Sequence, residues 1–231
     1  MKTIGLLGGM SWHSSALYYQ LLNEGVQQRL GGLHSAKIIM SSFDFAEIAE
    51  LQNKKDWHQA GELLANQALK LQQAGADFLV IATNTMHISV PIIKQYIRIP
   101  ILHIADATAR AIMNEHYRTV GLLGTGFTMQ MDYYKSHLYD NGLDVVIPDD
   151  SSCKLVNDVI FNELCHGQIN KKSRQKYLNI IDDLVKKGAE CIIAGCTEIT
   201  LLVKQSDTKI PLFDTTAIHA EAAVELALAK D

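Results

Sequence analysis

The sequence predicts an α/β fold made of two pseudo-symmetric domains, each a mostly parallel sheet flanked by helices. Three observations predict it. Short apolar runs alternate with longer amphipathic segments. The runs are dominated by apolar residues, as in strands buried on both faces of a parallel sheet. The second half of the chain also repeats the first in order, so the fold is expected twice.

Taken in order, the first strand is expected at residues 4–7 and the second at 37–40. Asp44 with Glu47 makes a capping box that starts a helix. Gly75 stands where a helix should end, just before a third strand at 78–82. A fourth strand is expected at 101–104, with a helix running on to 115. The second half offers strands at 120–123, 143–147, 191–194 and 212–213, with Gly142 and Gly188 as helix stops. Lys171, Lys172, Arg174 and Lys176 read as a solvated helix face. The tyrosine pairs Tyr18-Tyr19 and Tyr133-Tyr134 read as packing residues.

The repeat has three matches in the same order. Ile4-Gly5-Leu6-Leu7-Gly8-Gly9 recurs as Val120-Gly121-Leu122-Leu123-Gly124-Thr125. Gly75-Ala76-Asp77-Phe78 recurs as Gly188-Ala189-Glu190-Cys191, and Ile99-Pro100-Ile101-Leu102 as Ile210-Pro211-Leu212-Phe213. The offsets are 116, 113 and 111 residues, a drift that small loop deletions explain. Each half ends in a strand and a helix beyond the third match, and such a strand can cross over to complete the other half's sheet. The expected domains are therefore residues 1–97 plus 210–231, and residues 98–209. The cleft between them is the expected ligand site.

Composition narrows the function. Of 231 residues, 48% are apolar and 20% charged, which is ordinary for globular chains. Lys and Arg number 21 against 25 Asp and Glu, a formal charge of −4. Nucleic acid and anionic membranes both require a basic face, so neither is an expected partner. No apolar run approaches the ~20 residues of a membrane span. The N-terminal apolar stretch is too short for a signal peptide, and a cytoplasmic location is expected. The four cysteines are expected to stay reduced there. They form no C-x-x-C pair, and the nine histidines show no H-x-x-x-H spacing, so no metal is expected. The glycines at the first turn do not follow G-x-G-x-x-G, which weakens a nucleotide site.

The chemistry is expected where the repeat lays one turn over another. At an offset of 113 residues Thr83 falls on Cys196, Asn84 on Thr197 and Thr85 on Glu198. Both segments follow a buried strand, and strand carboxyl ends are where open parallel sheets bind ligands. Each turn offers backbone N–H groups and small polar side chains to a carboxylate. Cys196 is the sharpest residue. Gly195 lets the backbone approach a ligand, and a helix N-terminus would lower the thiol pKa. Cys191, Cys153 and Cys165 read as small buried apolar residues. Glu198 could position Cys196 or a substrate ammonium, or simply complement a helix dipole. His87 and His103 read as hydrogen-bonded structural histidines.

Four motifs, Gly8-Gly9-Met10-Ser11, Asn84-Thr85-Met86-His87, His103-Ile104-Ala105-Asp106-Ala107-Thr108 and Gly195-Cys196-Thr197-Glu198, resemble the cofactor-independent aspartate/glutamate racemase family over essentially the whole length. The resemblance implies a homodimer and a small amino-acid substrate. It implies two thiols on opposite faces of the α-carbon, one removing the proton and the other returning one. It implies no cofactor. Neither duplicated turn holds a lysine that could anchor a pyridoxal aldimine.

One position departs from the family. Thr83 stands where the first cysteine is expected, with Asn84 and Thr85 retained beside it. This resembles an L-aspartate/glutamate racemase subgroup, with Phe213-Asp214-Thr215 adding to the likeness. Cys196 would then abstract the proton from the L-form and Thr83 would protonate the opposite face. Met10, Gln52, Asn84, Thr85, Thr125, Thr197 and Glu198 are the expected substrate-binding residues. Gln52 follows the segment where aspartate-specific relatives place an arginine, and no arginine occurs between Arg29 and Arg98. The family's later basic position falls near Cys165-His166, where no lysine stands. Two further readings stay open: a racemase of neutral amino acids or of hydantoins, and a carboxylate-binding protein without turnover.

Overall fold

The eight apolar runs all become strands, and all pair in parallel. The structure is a computed structural model that describes residues 1–229. Lys230 and Asp231, which the expected first domain included, lie outside the described residues. The strands are β1 (Ile4–Gly8), β2 (Ile38–Ser42), β3 (Phe78–Ile81), β4 (Ile101–Leu102), β5 (Thr119–Gly124), β6 (Asp144–Val146), β7 (Cys191–Gly195) and β8 (Leu212–Asp214). They form two four-stranded sheets, ordered β2-β1-β3-β4 and β6-β5-β7-β8. The two orders are the same, so the sequence repeat is a repeat of topology.

Strand alternation builds two cores around the first sheet. Ile4, Leu6, Phe78 and Val80 point to one face, where they meet Tyr18, Leu22 and Val26 of the helix Trp12–Leu30. Leu7, Leu79 and Ile81 point to the other. There they meet Ile48 and Leu51 of the helix Phe45–Lys54, Leu64 and Ala68 of Trp57–Gln73, and Ile93 of Val90–Tyr96. Asp44 accepts from the Ala46 N–H, and Asp56 from the Gln59 N–H, so two of these helices start on aspartate caps.

The chain divides into one compact unit of residues 1–104 with the chain from His219 onward, and another of residues 105–218. The expected exchange of terminal strands does not occur. β4 pairs with β3 and β8 pairs with β7, each inside its own half's sheet. What changes unit is the helix that follows. Most of Ile104–Asn114 belongs to the second unit, and most of Thr215–Leu228 to the first. Ala220, Ala223, Val224 and Ala227 of that last helix are at most 1% exposed, against Ile4, Leu6 and Phe78. The reason is area. β4 and β8 have two and three residues, whereas a helix carries a full apolar stripe. Tyr18 and Tyr134 of the tyrosine pairs are fully buried, while Tyr19 is exposed.

Candidate active site

In the first unit, the strand carboxyl ends carry two turns. β1 leads through Gly9, Met10 and Ser11 into Trp12–Leu30. Gly9 has φ +86°, and a Cβ there would lie 2.2 Å from the Phe43 backbone nitrogen, so only glycine fits. Its N–H donates to Ser15 Oγ at 2.7 Å. Met10 sends its side chain into the core with Leu7, Ile48 and Leu51. Its side chain is therefore a packing residue, and only its backbone faces the turn.

β3 leads into Ala82-Thr83-Asn84. Ser14 Oγ donates to the Ala82 carbonyl at 2.9 Å, tying the two turns together. Thr83 is half-buried, with Asn84 and Thr85 buried behind it. The chain then winds as a 3-10 helix, Thr85–Ser89. Gln52 is 5% exposed and lies on the helix Phe45–Lys54. Its Nε2 donates to the Met86 Sδ at 3.1 Å, so this amide touches the turn that Thr83 opens.

In the second unit, Thr125 caps the short helix Gly126–Gln130 and accepts from the Thr128 N–H at 3.3 Å. It is 6% exposed, so its hydroxyl is committed locally. β7 ends at Gly195, where a Cβ would lie 2.8 Å from the Leu123 carbonyl oxygen. Close packing on β5 thus requires this glycine, rather than ligand approach.

Cys196 follows. Its thiol donates to Glu198 Oε2 at 3.0 Å, and Glu198 is 8% exposed. Thr197 Oγ1 lies 3.1 Å from Thr216 Oγ1, and Thr215 Oγ1 donates to the Ala194 carbonyl at 3.0 Å. Two threonines at the start of the last helix thus brace the cysteine turn.

The expected lowering of the Cys196 pKa is reversed. Burial pushes the thiol well above its ordinary value, and the Glu198 carboxylate, by charge and hydrogen bond, pushes it further. The helix after it, Ile199–Leu202, is a single turn, too short to hold a thiolate. Cys196 rests as a thiol.

Two residues near this centre carry no signal in the sequence. Burial and the Glu198 charge push the Cys165 thiol up to about 12. Tyr177 lies near Cys196, burial raises its hydroxyl, and that hydroxyl donates to the Val156 carbonyl at 2.9 Å. Cys165 is therefore a neighbour of Cys196 and Glu198, beyond its expected role as filler. His166 beside it is exposed.

A family model described as Asp/Glu/Hydantoin racemase matches residues 7–223. The chain belongs to this family. It is an amino-acid racemase, an isomerase. A crystal structure of a Yersinia pestis protein classed with the Asp/Glu racemases is 49% identical. That likeness covers 99% of this chain and 100% of that one, with a TM-score of 0.94. PH1733 of Pyrococcus horikoshii OT3, an aspartate racemase homologue, is 33% identical at a TM-score of 0.85, covering 99% and 100%. The broad specificity amino-acid racemase RacX of Bacillus subtilis is 28% identical over 75% of each chain. Among the described residues, no helix of this racemase is long and apolar enough to cross a membrane.

Proposed function

We propose that this racemase inverts L-aspartate and L-glutamate without a cofactor, with Cys196 as the base on the L-face. The observation that carries this is the 3.0 Å hydrogen bond from the Cys196 thiol to Glu198. A thiol is not a base until its proton leaves, and Glu198 stands where that proton goes. A substrate ammonium near the pair offsets the carboxylate charge, which favours the thiolate. The thiolate then takes the α-proton. Thr83 supplies a proton to the opposite face as donor or relay. Asn84, Thr85 and Thr197, with the backbone at Met10 and Thr125, hold the α-carboxylate, and Gln52 meets the side chain. The racemase works in the cytoplasm as a homodimer.

One observation favours a broader substrate range. Gln52 replaces a cation with an amide already bonded to the Met86 thioether. An amide is a weaker partner for a carboxylate than a bidentate arginine, and it accepts neutral polar side chains equally well. The test is incubation in D2O with a panel of L-amino acids, followed by chiral chromatography and mass measurement. Deuterium gain and inversion with Asp and Glu, lost in Cys196→Ser, are expected. Inversion of neutral amino acids at equal rate would establish the broader range. Binding without exchange would sink the catalytic reading.

A further inference from the structure

His87 is buried, 1% exposed, and both of its ring nitrogens are committed. Nδ1 lies 2.8 Å from the Thr83 carbonyl oxygen. Nε2 lies 3.2 Å from the Ile104 nitrogen, whose N–H points at it. A carbonyl only accepts and a backbone N–H only donates, so the ring must be neutral with its proton on Nδ1. The rings of His103 and His219 pack edge-on against it, with centroids 4.6 and 5.7 Å away.

The backbone explains why a side chain is needed there. In an α-helix the His87 N–H would reach the Thr83 carbonyl, four residues back. The tighter 3-10 winding takes that N–H to Asn84 instead, at 3.1 Å. The imidazole of the same residue takes the place of the missing backbone donor. It thereby ties the peptide that carries Thr83 to the start of the helix Ile104–Asn114.

We propose that His87 is a positioning residue for the proton transfer on the Thr83 face. It holds the Thr83 peptide plane, and with it the direction from which the hydroxyl reaches the α-carbon. Proton transfer depends steeply on geometry, so a released turn slows protonation of that face. Removal of the α-proton by Cys196 does not pass through His87. This inference rests on the role given to Thr83 above.

The readout is the ratio of inversion to exchange. With L-substrate in D2O, deuterium washed back into the L-form reports Cys196, and D-product reports the Thr83 face. His87→Phe keeps an aromatic ring but removes both nitrogens. His87→Gln places its amide near Nε2, and His87→Asn places its own near Nδ1. His87→Phe and His87→Gln are expected to lower the ratio about tenfold, the worth of one well-placed hydrogen bond. His87→Asn is expected to retain it. A merely structural role would lower inversion and exchange together. Thermal melts identify any variant that fails to fold, and the Asn and Gln variants, both milder than Phe, carry the comparison. A His87→Gln variant with the wild-type ratio, or a His87→Asn variant that loses it, overturns the inference. Thr83→Val run alongside separates the two claims. If Thr83→Val leaves the ratio unchanged, the role of Thr83 falls. If it lowers the ratio and His87→Phe does not, only the role of His87 falls.

Discussion

The Cys196 thiol and the Glu198 carboxylate are hydrogen-bonded neighbours at 3.0 Å within one turn. Burial and the carboxylate together hold the thiol protonated, and the proposed proton acceptor already touches it.

Replacing Glu198 separates these two effects. Glu198→Gln removes the charge that raises the Cys196 thiol and leaves an amide oxygen that still accepts its hydrogen bond. Cys196 should then titrate at lower pH, though burial still holds it above the ordinary thiol range. Iodoacetamide alkylation followed against pH measures the shift. Catalysis should fall roughly 100-fold, as expected when a general base is removed. An alkylation profile that does not move would show that the contact has no electrostatic consequence.

The threonine predicts lopsided exchange. An alcohol is a far weaker acid than a thiol and a poor base at neutral pH. In the native protein, deuterium should enter the L-enantiomer much faster than the D-enantiomer. Thr83→Cys should raise exchange from the D-enantiomer while exchange from the L-enantiomer changes little. Equal exchange from both enantiomers before the substitution would argue for Thr83 as a carboxylate ligand.

His219 sets a limit on acid stability. Its Nε2–H donates to the Leu102 carbonyl at 2.8 Å, and Nδ1 accepts from the Tyr18 hydroxyl at 2.8 Å. Burial pushes its pKa from 6.5 down to about 4. Between those values the unfolded chain binds the proton and the folded one does not, so stability falls as pH drops through this window. The shift corresponds to about 3 kcal/mol by pH 4. Urea denaturation at pH 7, 6 and 5 should show a steeper loss for the native protein than for His219→Gln. Parallel losses would remove His219 as the cause.

Dialysis tests the cofactor expectation. Activity should survive exhaustive dialysis against a chelator, with no absorbance from a pyridoxal Schiff base. Activity lost on dialysis and restored by pyridoxal phosphate or a metal ion would overturn the two-sided acid–base mechanism.

The sequence by itself determined the strands and the duplicated turns, but not the order of the strands in each sheet. A strand buried on both faces must be apolar throughout, so residues 4–7, 78–82, 120–123 and 191–194 announce themselves without any knowledge of partners. Aligning the repeat then brought Thr83 and Cys196 into register. Only the tertiary structure decided which segment changes unit, because a strand of two residues and the helix after it look equally apolar in sequence. It also decided that the Cys196 thiol is raised rather than lowered, that Met10 is a core side chain, and that Gln52 meets Met86. The physical reason is common to all three. Periodicity reports which face of one element is apolar, whereas a pKa or a side-chain partner depends on what other elements bring within a few ångströms.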